Sequence, residues 1–139
     1  MYSRIVLAVD GSEHALKAAA SAGELARLTG GEVWIVHAYE PVPAYLGEPN
    51  LQNAINERLA SSDQVIQAAR AAIGTLKAET HSEILEGPAA EAILSVAEAR
   101  GADLIVMGPR GLSGLSTLLL GSQSQKVVAQ AACPVLLVR

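Results

Sequence analysis

A glycine- and serine-rich stretch near the C-terminus has the clearest potential for chemistry. Residues 108–124 read GPRGLSGLSTLLLGSQS, with glycines at positions 108, 111, 114 and 121 and serines at 122 and 124. Glycine lets a phosphate approach the backbone closely, and the free N–H groups of a helix N-terminus favour an anion. The stretch predicts either a phosphate cradle or a flexible loop in which Ser122 is only a helix cap.

The stretch differs from two common nucleotide-binding motifs. It lacks the Gly-Lys-Ser/Thr ending of the Walker motif, so no lysine is set to meet the β- and γ-phosphates. The first turn, VDGSEHA, has one glycine where the dinucleotide fingerprint has three, which disfavours NAD and FAD. A phosphate here would be held by backbone N–H groups, by the hydroxyls of Ser122 and Ser124, and by the charge of Arg110.

Composition narrows the class of protein and its partners. Apolar residues make up 50% and charged residues 17% of the 139 residues, which predicts a single globular domain spanning 1–139. The net charge of −4, the absence of a Lys/Arg run and the 3% of aromatic residues argue against nucleic acid as a partner. The single Cys133 and the lack of Cys/His spacing predict no disulfide and no metal site. No signal peptide or membrane-length apolar run is present, so a cytoplasmic protein is expected.

Short apolar runs alternate with helical patterns along the chain. The runs RIVLAV, EVWIVHAY, HSEILEG, ADLIVMG and PVLLVR predict five strands. Strict alternation of strand and helix predicts an α/β domain, a parallel sheet with helices on both faces.

The helical segments carry their own signals. The predicted buried faces are Ala15, Ala19, Ala22 and Ala26 in the first helix, Val65, Ala69, Ala72 and Leu76 in the second, and Ile93, Val96 and Ala97 in the third. The second helix is expected over residues 51–79, with Gly74 as a weak point, after a proline-rich loop at 40–50. Pro88 is placed at the first position of the third helix, and Gly101 ends it.

Two polar features follow strands. Asp10 comes directly after the first strand, and the glycine-rich stretch follows the fourth. Ligands of open α/β sheets bind outside the carboxyl ends of the strands, so neighbouring first and fourth strands would place both features in one crevice.

A resemblance to a known family becomes specific at this point. GPRGLSGLSTLLLGS fits the pattern G-x2-G-x9-G-[ST], with Gly108, Gly111, Gly121 and Ser122 at its fixed positions. IVLAVDGSEHA, VWIVHAYEP, ADLIVMGPRG and GSQSQKVVAQAACPVLLVR extend the likeness along the whole chain. The sequence resembles the ATP-binding type of the universal stress protein family. The resemblance implies a doubly wound, Rossmann-like five-stranded sheet of order 3-2-1-4-5, with ATP between the first and fourth strands.

The resemblance also implies roles for individual residues. Asp10, with Ala8 nearby, would contact the adenosine end, and Ala38 would reach the adenine. Met107 and Gly108 would shape the floor of the site. The residues implied near the ribose and phosphates are Arg110, Gly111, Gly121, Ser122 and Ser124. Gln123 departs from the small or β-branched residue common in the family, which leaves its backbone N–H as a donor and its side chain without an assigned role.

Each of these residues has a simpler structural interpretation. Asp10 caps the first helix on that interpretation, alone or together with a ligand contact. Arg110 is then a solvated loop residue, and Met107 belongs to the core. We interpret His37 as a strand-end residue bonded to backbone, and Cys133 as buried and inert.

Three functions remain open from the sequence. The first is a regulatory stress-response module that binds ATP, with Mg²⁺ carried by the phosphates. The second is a weak ATPase, although no catalytic base or acidic pair for Mg²⁺ is evident. The third is a nucleotide-free interaction module.

The last strand predicts how the protein assembles. It begins at Pro134 and ends at Val138, and it is an apolar edge strand in the implied order, which predicts a homodimer.

Overall fold

Strands and helices alternate along the chain, in a computed structural model that describes residues 1–109 and 120–139. The strands are β1 (Arg4–Ala8), β2 (Glu32–Tyr39), β3 (Thr80–Glu86), β4 (Leu104–Met107) and β5 (Val135–Leu137). The helices are α1 (Glu13–Thr29), α2 (Asn50–Ile73), α3 (Ala89–Arg100) and α4 (Ser122–Gln130), with a 3-10 helix at Ala44–Leu46 inside the predicted loop. The strands form a parallel sheet in the order β3-β2-β1-β4-β5. The predicted fold class and strand order are confirmed.

The central strand β1 determines where polar groups meet. Ile5 of β1 lies opposite Val33 of β2 on one side and Leu104 of β4 on the other. Because all pairs are parallel, the carboxyl ends of β1, β2 and β4 lie at the same edge of the sheet. The turn after β1 therefore lies beside the end of β4, as the crevice hypothesis requires.

Two cores cover the two faces of the sheet. Ile5 and Leu7 of β1 face α1 and α2, whereas Val6 faces α3 and α4. The predicted alanine stripe of α1 is confirmed, because Ala15, Ala19, Ala22 and Ala26 are all buried against the first face. Alanine side chains let a helix backbone approach a sheet closely, which suits a core with no Phe.

The second helix is shorter than predicted. It ends at Ile73, not Glu79, because Gly74 has a φ of 78° and takes the chain out of the helix. The guanidinium of Arg27 donates to the Ile73 carbonyl at 2.7 Å, which satisfies the end of α2 from another helix. Gly74 is thus the end of the helix and not a weak point inside it.

Three smaller predictions about the helices can be compared with the structure. Ala69 is buried as expected, but Val65, Ala72 and Leu76 are only partly buried. The buried face of α2 is completed by Ser62, Ile66 and Ile73.

The predictions for α3 agree more closely with the structure. Ile93 and Val96 are buried, and Ala97 is partly buried. Pro88 precedes α3 as its N-cap and is not its first helical residue, whereas Gly101 ends α3 as predicted, with a φ of 63°.

The end of the sheet away from the carboxyl ends is held by Asp103. Its carboxylate accepts hydrogen bonds from the N–H groups of Ser3 (3.0 Å) and Arg4 (3.1 Å) and from the Ser3 hydroxyl (3.3 Å). Burial raises the pKa of Asp103, but these hydrogen bonds outweigh it and hold the pKa below its usual range. The carboxylate therefore ties the start of β1 to the start of β4.

None of the helices within residues 1–109 and 120–139 is long and apolar enough to cross a membrane.

Candidate functional site

A cavity of about 200 Å³ opens at the carboxyl ends of β1 and β4. It brings together nine residues singled out from the sequence: Ala8, Asp10, Ala38, Met107, Gly108, Gly121, Ser122, Gln123 and Ser124. The two other predicted site residues, Arg110 and Gly111, lie outside the described residues. Residues from β1, β2, β4 and α4 thus converge on one crevice, where the strand order reverses direction.

Six further lining residues were missed by the sequence reasoning. They are Val9, Ser12, Ala15, Val36, Ala89 and Ile93. Val36 could have been found, because it lies two positions before Ala38 on the same face of β2 and opposite Ala8 in register. Ala89 and Ile93 could not, since no local pattern places the start of α3 beside the carboxyl ends of the strands.

The end of the cavity nearest the sheet is lined by aliphatic side chains. Ala8, Val36 and Ala38 line it from the strands, and Ile93 contributes from α3. Ala8 is 8% exposed and Val36 is 1% exposed, so these walls are part of the packed interior. Such walls suit a flat apolar group inserted between them, without aromatic stacking.

The turn after β1 is ordered by two consecutive hydrogen bonds. Oδ1 of Asp10 accepts from the N–H of Ser12 at 2.9 Å, and Oγ of Ser12 accepts from the N–H of Ala15 at 3.2 Å. Ser12 is therefore the N-cap of α1, and the interpretation of Asp10 as that cap is wrong. Asp10 holds the turn instead, and its Oδ2 has no hydrogen-bond partner in the part of the chain that the structure describes.

The start of α4 presents backbone donors that have no partner in the part of the chain that the structure describes. The first bond of the helix runs from the N–H of Gln125 to the carbonyl of Gly121 at 2.9 Å. The N–H groups of Ser122, Gln123 and Ser124 have no acceptor within residues 1–109 and 120–139. Gly121 precedes the helix and has no side chain that could cap them. Three N–H groups without an acceptor among the described residues, together with the positive end of the helix, therefore favour an anion at this wall.

The polar side chains of α4 differ in how they are used. The hydroxyl of Ser122 is at an exposed position, whereas Ser124 is buried and its Oγ donates to the carbonyl of Gly108 at 3.3 Å. Oε1 of Gln123 accepts from the N–H of Ala90 at 2.8 Å, so its side chain is bonded to α3. Ser122 is thus the hydroxyl on α4 that remains available to a ligand.

Two residues near the cavity, His37 and Met107, have the structural roles expected of them. Nδ1 of His37 donates to the carbonyl of Val9 at 2.9 Å, which confirms His37 as a strand-end residue bonded to backbone. Met107 lines the cavity and also belongs to the core on the α3 and α4 face. Cys133, which the sequence predicts to be buried, is only partly buried and lies just before β5, away from the cavity. Burial, with a smaller effect from the charge of Asp103, raises the pKa of its thiol.

The sequence has relatives over its full length. The model of the universal stress protein family matches residues 1–139. A protein from Thermus aquaticus, named "Universal stress protein in QAH/OAS sulfhydrylase 3'region", is 52% identical over 139 residues, which is 100% of both chains.

Solved structures share the fold. UspA from Lactobacillus plantarum superimposes with a TM-score of 0.86 at 24% identity, covering 99% of this chain and 98% of that one. A universal stress protein from Archaeoglobus fulgidus in complex with dAMP has a TM-score of 0.75 at 27% identity, with coverage of 99% and 98%. A universal stress protein in complex with cAMP has a TM-score of 0.69 at 29% identity, with coverage of 99% and 97%.

These matches agree with the strand order and with the full-length sequence likeness. Because the family model spans residues 1–139 and a relative is 52% identical along the whole chain, the chain belongs to the universal stress protein family.

Proposed function

We propose that this chain binds ATP in the cavity at the carboxyl ends of β1 and β4, and that nucleotide occupancy makes it a regulatory module in a stress response. One observation carries the proposal. The three N–H groups at the start of α4 that lack an acceptor within the described residues belong to the same cavity as the aliphatic walls of β1 and β2. An adenine nucleotide has a flat base at one end and an anion at the other, and this cavity offers a matching surface for each.

The phosphate end is assigned to α4. The N–H groups of Ser122, Gln123 and Ser124 and the hydroxyl of Ser122 would donate to phosphate oxygens, and the helix end favours their charge. Gly108 and Gly121 let the backbone approach the ligand, because neither has a Cβ. Mg²⁺, where it accompanies the nucleotide, would be held by the phosphates.

The adenosine end is assigned to the strand ends. Ala8, Val36 and Ala38 would cover the base. Oδ2 of Asp10, which has no partner among the described residues, is the acceptor suited to a donor on the adenosine. Two structural neighbours were solved with dAMP and with cAMP, which supports an adenine nucleotide as the ligand class. ATP within that class rests on the G-x2-G-x9-G-[ST] pattern, in which Gly111 lies outside the described residues.

The proposal includes a location and an assembly. We place the chain in the cytoplasm on the basis of its composition.

We also propose that two copies form a homodimer through β5. This strand pairs with β4 on one side and, within the described residues, with no strand on the other. Leu136 of this strand is 39% exposed, and an unpaired apolar edge invites pairing with a second copy.

Mass spectrometry of the small molecules released from freshly purified protein tests the proposal. ATP or ADP released at close to one per chain supports it. An ADP pool that grows with incubation time instead indicates the weak ATPase. An empty protein that also ignores added ATP contradicts the proposal and favours the nucleotide-free interaction module.

A further inference from the structure

A hydrogen bond between side chain and backbone ties two helices together beside the cavity. Oε1 of Gln123, in the first turn of α4, accepts from the N–H of Ala90, in the first turn of α3, at 2.8 Å. The residue that precedes α3 is Pro88, which has no polar side chain and cannot cap the helix. Gln123 therefore supplies to α3, from a neighbouring helix, one of the acceptors that its first turn lacks.

The two helices joined in this way form part of one cavity wall. Ala89 and Ile93 line it from α3, and Gly121 and Ser122 line it from α4. The position of α3 is fixed by its buried face, in which Ala90 is 1% exposed. A bond to Ala90 is thus a bond to a rigid part of the molecule.

The start of α4 is held at several points besides the bond from Gln123 to α3. Val127 is fully buried and anchors the middle of α4, and Ser124 bonds to Gly108. At the very start of the helix, the N–H of Gly121 donates to the carbonyl of Pro109 at 2.9 Å. Between these anchors the Gln123 side chain provides the link to α3.

We propose that Gln123 is a positioning residue: its bond to Ala90 fixes the first turn of α4 so that the N–H groups of residues 122–124 converge on one anion. The inference rests on the proposed function and deepens it, because it assigns phosphate recognition partly to a side chain whose oxygen is bonded to α3. A nucleoside without phosphates does not use these N–H groups, so its affinity is independent of Gln123.

The test uses Gln123→Met, which keeps the length of the side chain and removes the acceptor. Amide hydrogen exchange by NMR follows the Ala90 N–H, and calorimetry gives the Kd values of ATP and adenosine. We expect faster exchange at Ala90, a Kd for ATP raised about threefold to tenfold, and a Kd for adenosine within about twofold of the unaltered chain. Gln130→Met, at an exposed position at the end of the same helix, is the matched control and is expected to change neither Kd.

Two results would overturn the inference while leaving ATP binding in place. One is an unchanged Kd for ATP together with faster exchange at Ala90. The other is an equal loss of ATP and adenosine affinity, which would make Gln123 a purely structural residue. No binding of ATP by the unaltered chain would overturn the proposed function, and this inference with it. If Gln123→Met does not fold, Gln123→Asn, whose shorter side chain withdraws the oxygen from Ala90, is measured against the same criteria.

Discussion

The Oγ atom of Ser124 lies 3.3 Å from the carbonyl oxygen of Gly108, and the bond between them joins the start of α4 to the end of β4. A hydroxyl has one hydrogen to donate, and here that hydrogen is used within the protein. Ser122, at an exposed position two residues earlier, has a hydroxyl that a ligand can reach. The two serines of the GSQS sequence thus differ: Ser124 holds the wall of the cavity, and Ser122 lines the same cavity at an exposed position.

This difference predicts different effects of removing each hydroxyl. Ser122→Ala is expected to weaken ATP binding by about 1–3 kcal/mol, the usual cost of losing a hydrogen bond to a charged group. Ser124→Ala is expected to lower the free energy of unfolding by about 1 kcal/mol, because it removes a buried bond to backbone. Titration calorimetry with ATP and urea unfolding separate the two effects. Unchanged ATP affinity in Ser122→Ala would show that backbone N–H groups bind the phosphates alone.

A charge on the edge strand is expected to separate the proposed dimer. Leu136→Lys places a lysine on β5, and charged side chains on an edge oppose strand pairing between copies. Sedimentation analysis is expected to give the mass of two chains for the unaltered protein and of one chain for the variant. Leu59→Lys on α2 is the control, since Leu59 is exposed to a similar extent, 43% against 39%, and lies away from β5. A monomeric unaltered chain would contradict the edge-strand dimer.

Gly23 is expected to tolerate no side chain. A Cβ at this position in α1 would overlap the carbonyl of Ile73 at the end of α2, and that backbone is also held by Arg27. Gly23→Ala is therefore expected to lower the free energy of unfolding by about 1–3 kcal/mol, measured by urea denaturation. The substitution would be stabilising if helix propensity decided the outcome. Ala20→Gly, at an exposed position of the same helix, measures that propensity alone and is expected to cost about 1 kcal/mol.

The stability of the protein is expected to depend on pH through Asp103. Its pKa is lower in the folded state than in the unfolded chain, so its stabilising effect is complete above the unfolded value of about 4 and is lost as the pH falls through the folded value. Asp103→Asn is expected to cost about 1 kcal/mol at pH 7, after allowance for solvent screening, and less at pH 3. Urea unfolding at the two pH values measures the difference. An equal cost at both pH values would mean that the charge of Asp103 has no stabilising role. Asp63→Asn, on the exposed face of α2, serves as the control.

Much of the fold could be predicted because its signals are local. The alanine spacing of α1 and the glycine at the end of α3 act within a few residues, and both were located correctly. The observed end of α2 lies six residues before the predicted one, next to Gly74, which the sequence marks only as a weak point. The residues after Gly74 have ordinary helix propensities, and the guanidinium that satisfies Ile73 comes from Arg27, which lies 46 positions away. Long-range partners of this kind leave no trace in a local pattern.

The candidate site shows the same difference between residues that the sequence identifies and residues that depend on long-range contacts. Asp10 and the start of α4 could be identified from their positions, and Ala8, Ala38 and Met107 from the family resemblance. Nine of the predicted site residues share one cavity. The contribution of α3 could not be predicted, because the contact between Gln123 and Ala90 joins residues 33 positions apart. The role of Asp10 was only partly foreseen, since Ser12 turned out to be the cap and Asp10 the residue that orders the turn.

The most direct test of the central claim is calorimetric titration of nucleotide-stripped protein with ATP. Saturable binding at one ATP per chain, weakened by Ser122→Ala, is the expected result. No heat of binding, together with no ATP or ADP released from freshly purified protein, would contradict the claim that this cavity is a nucleotide site.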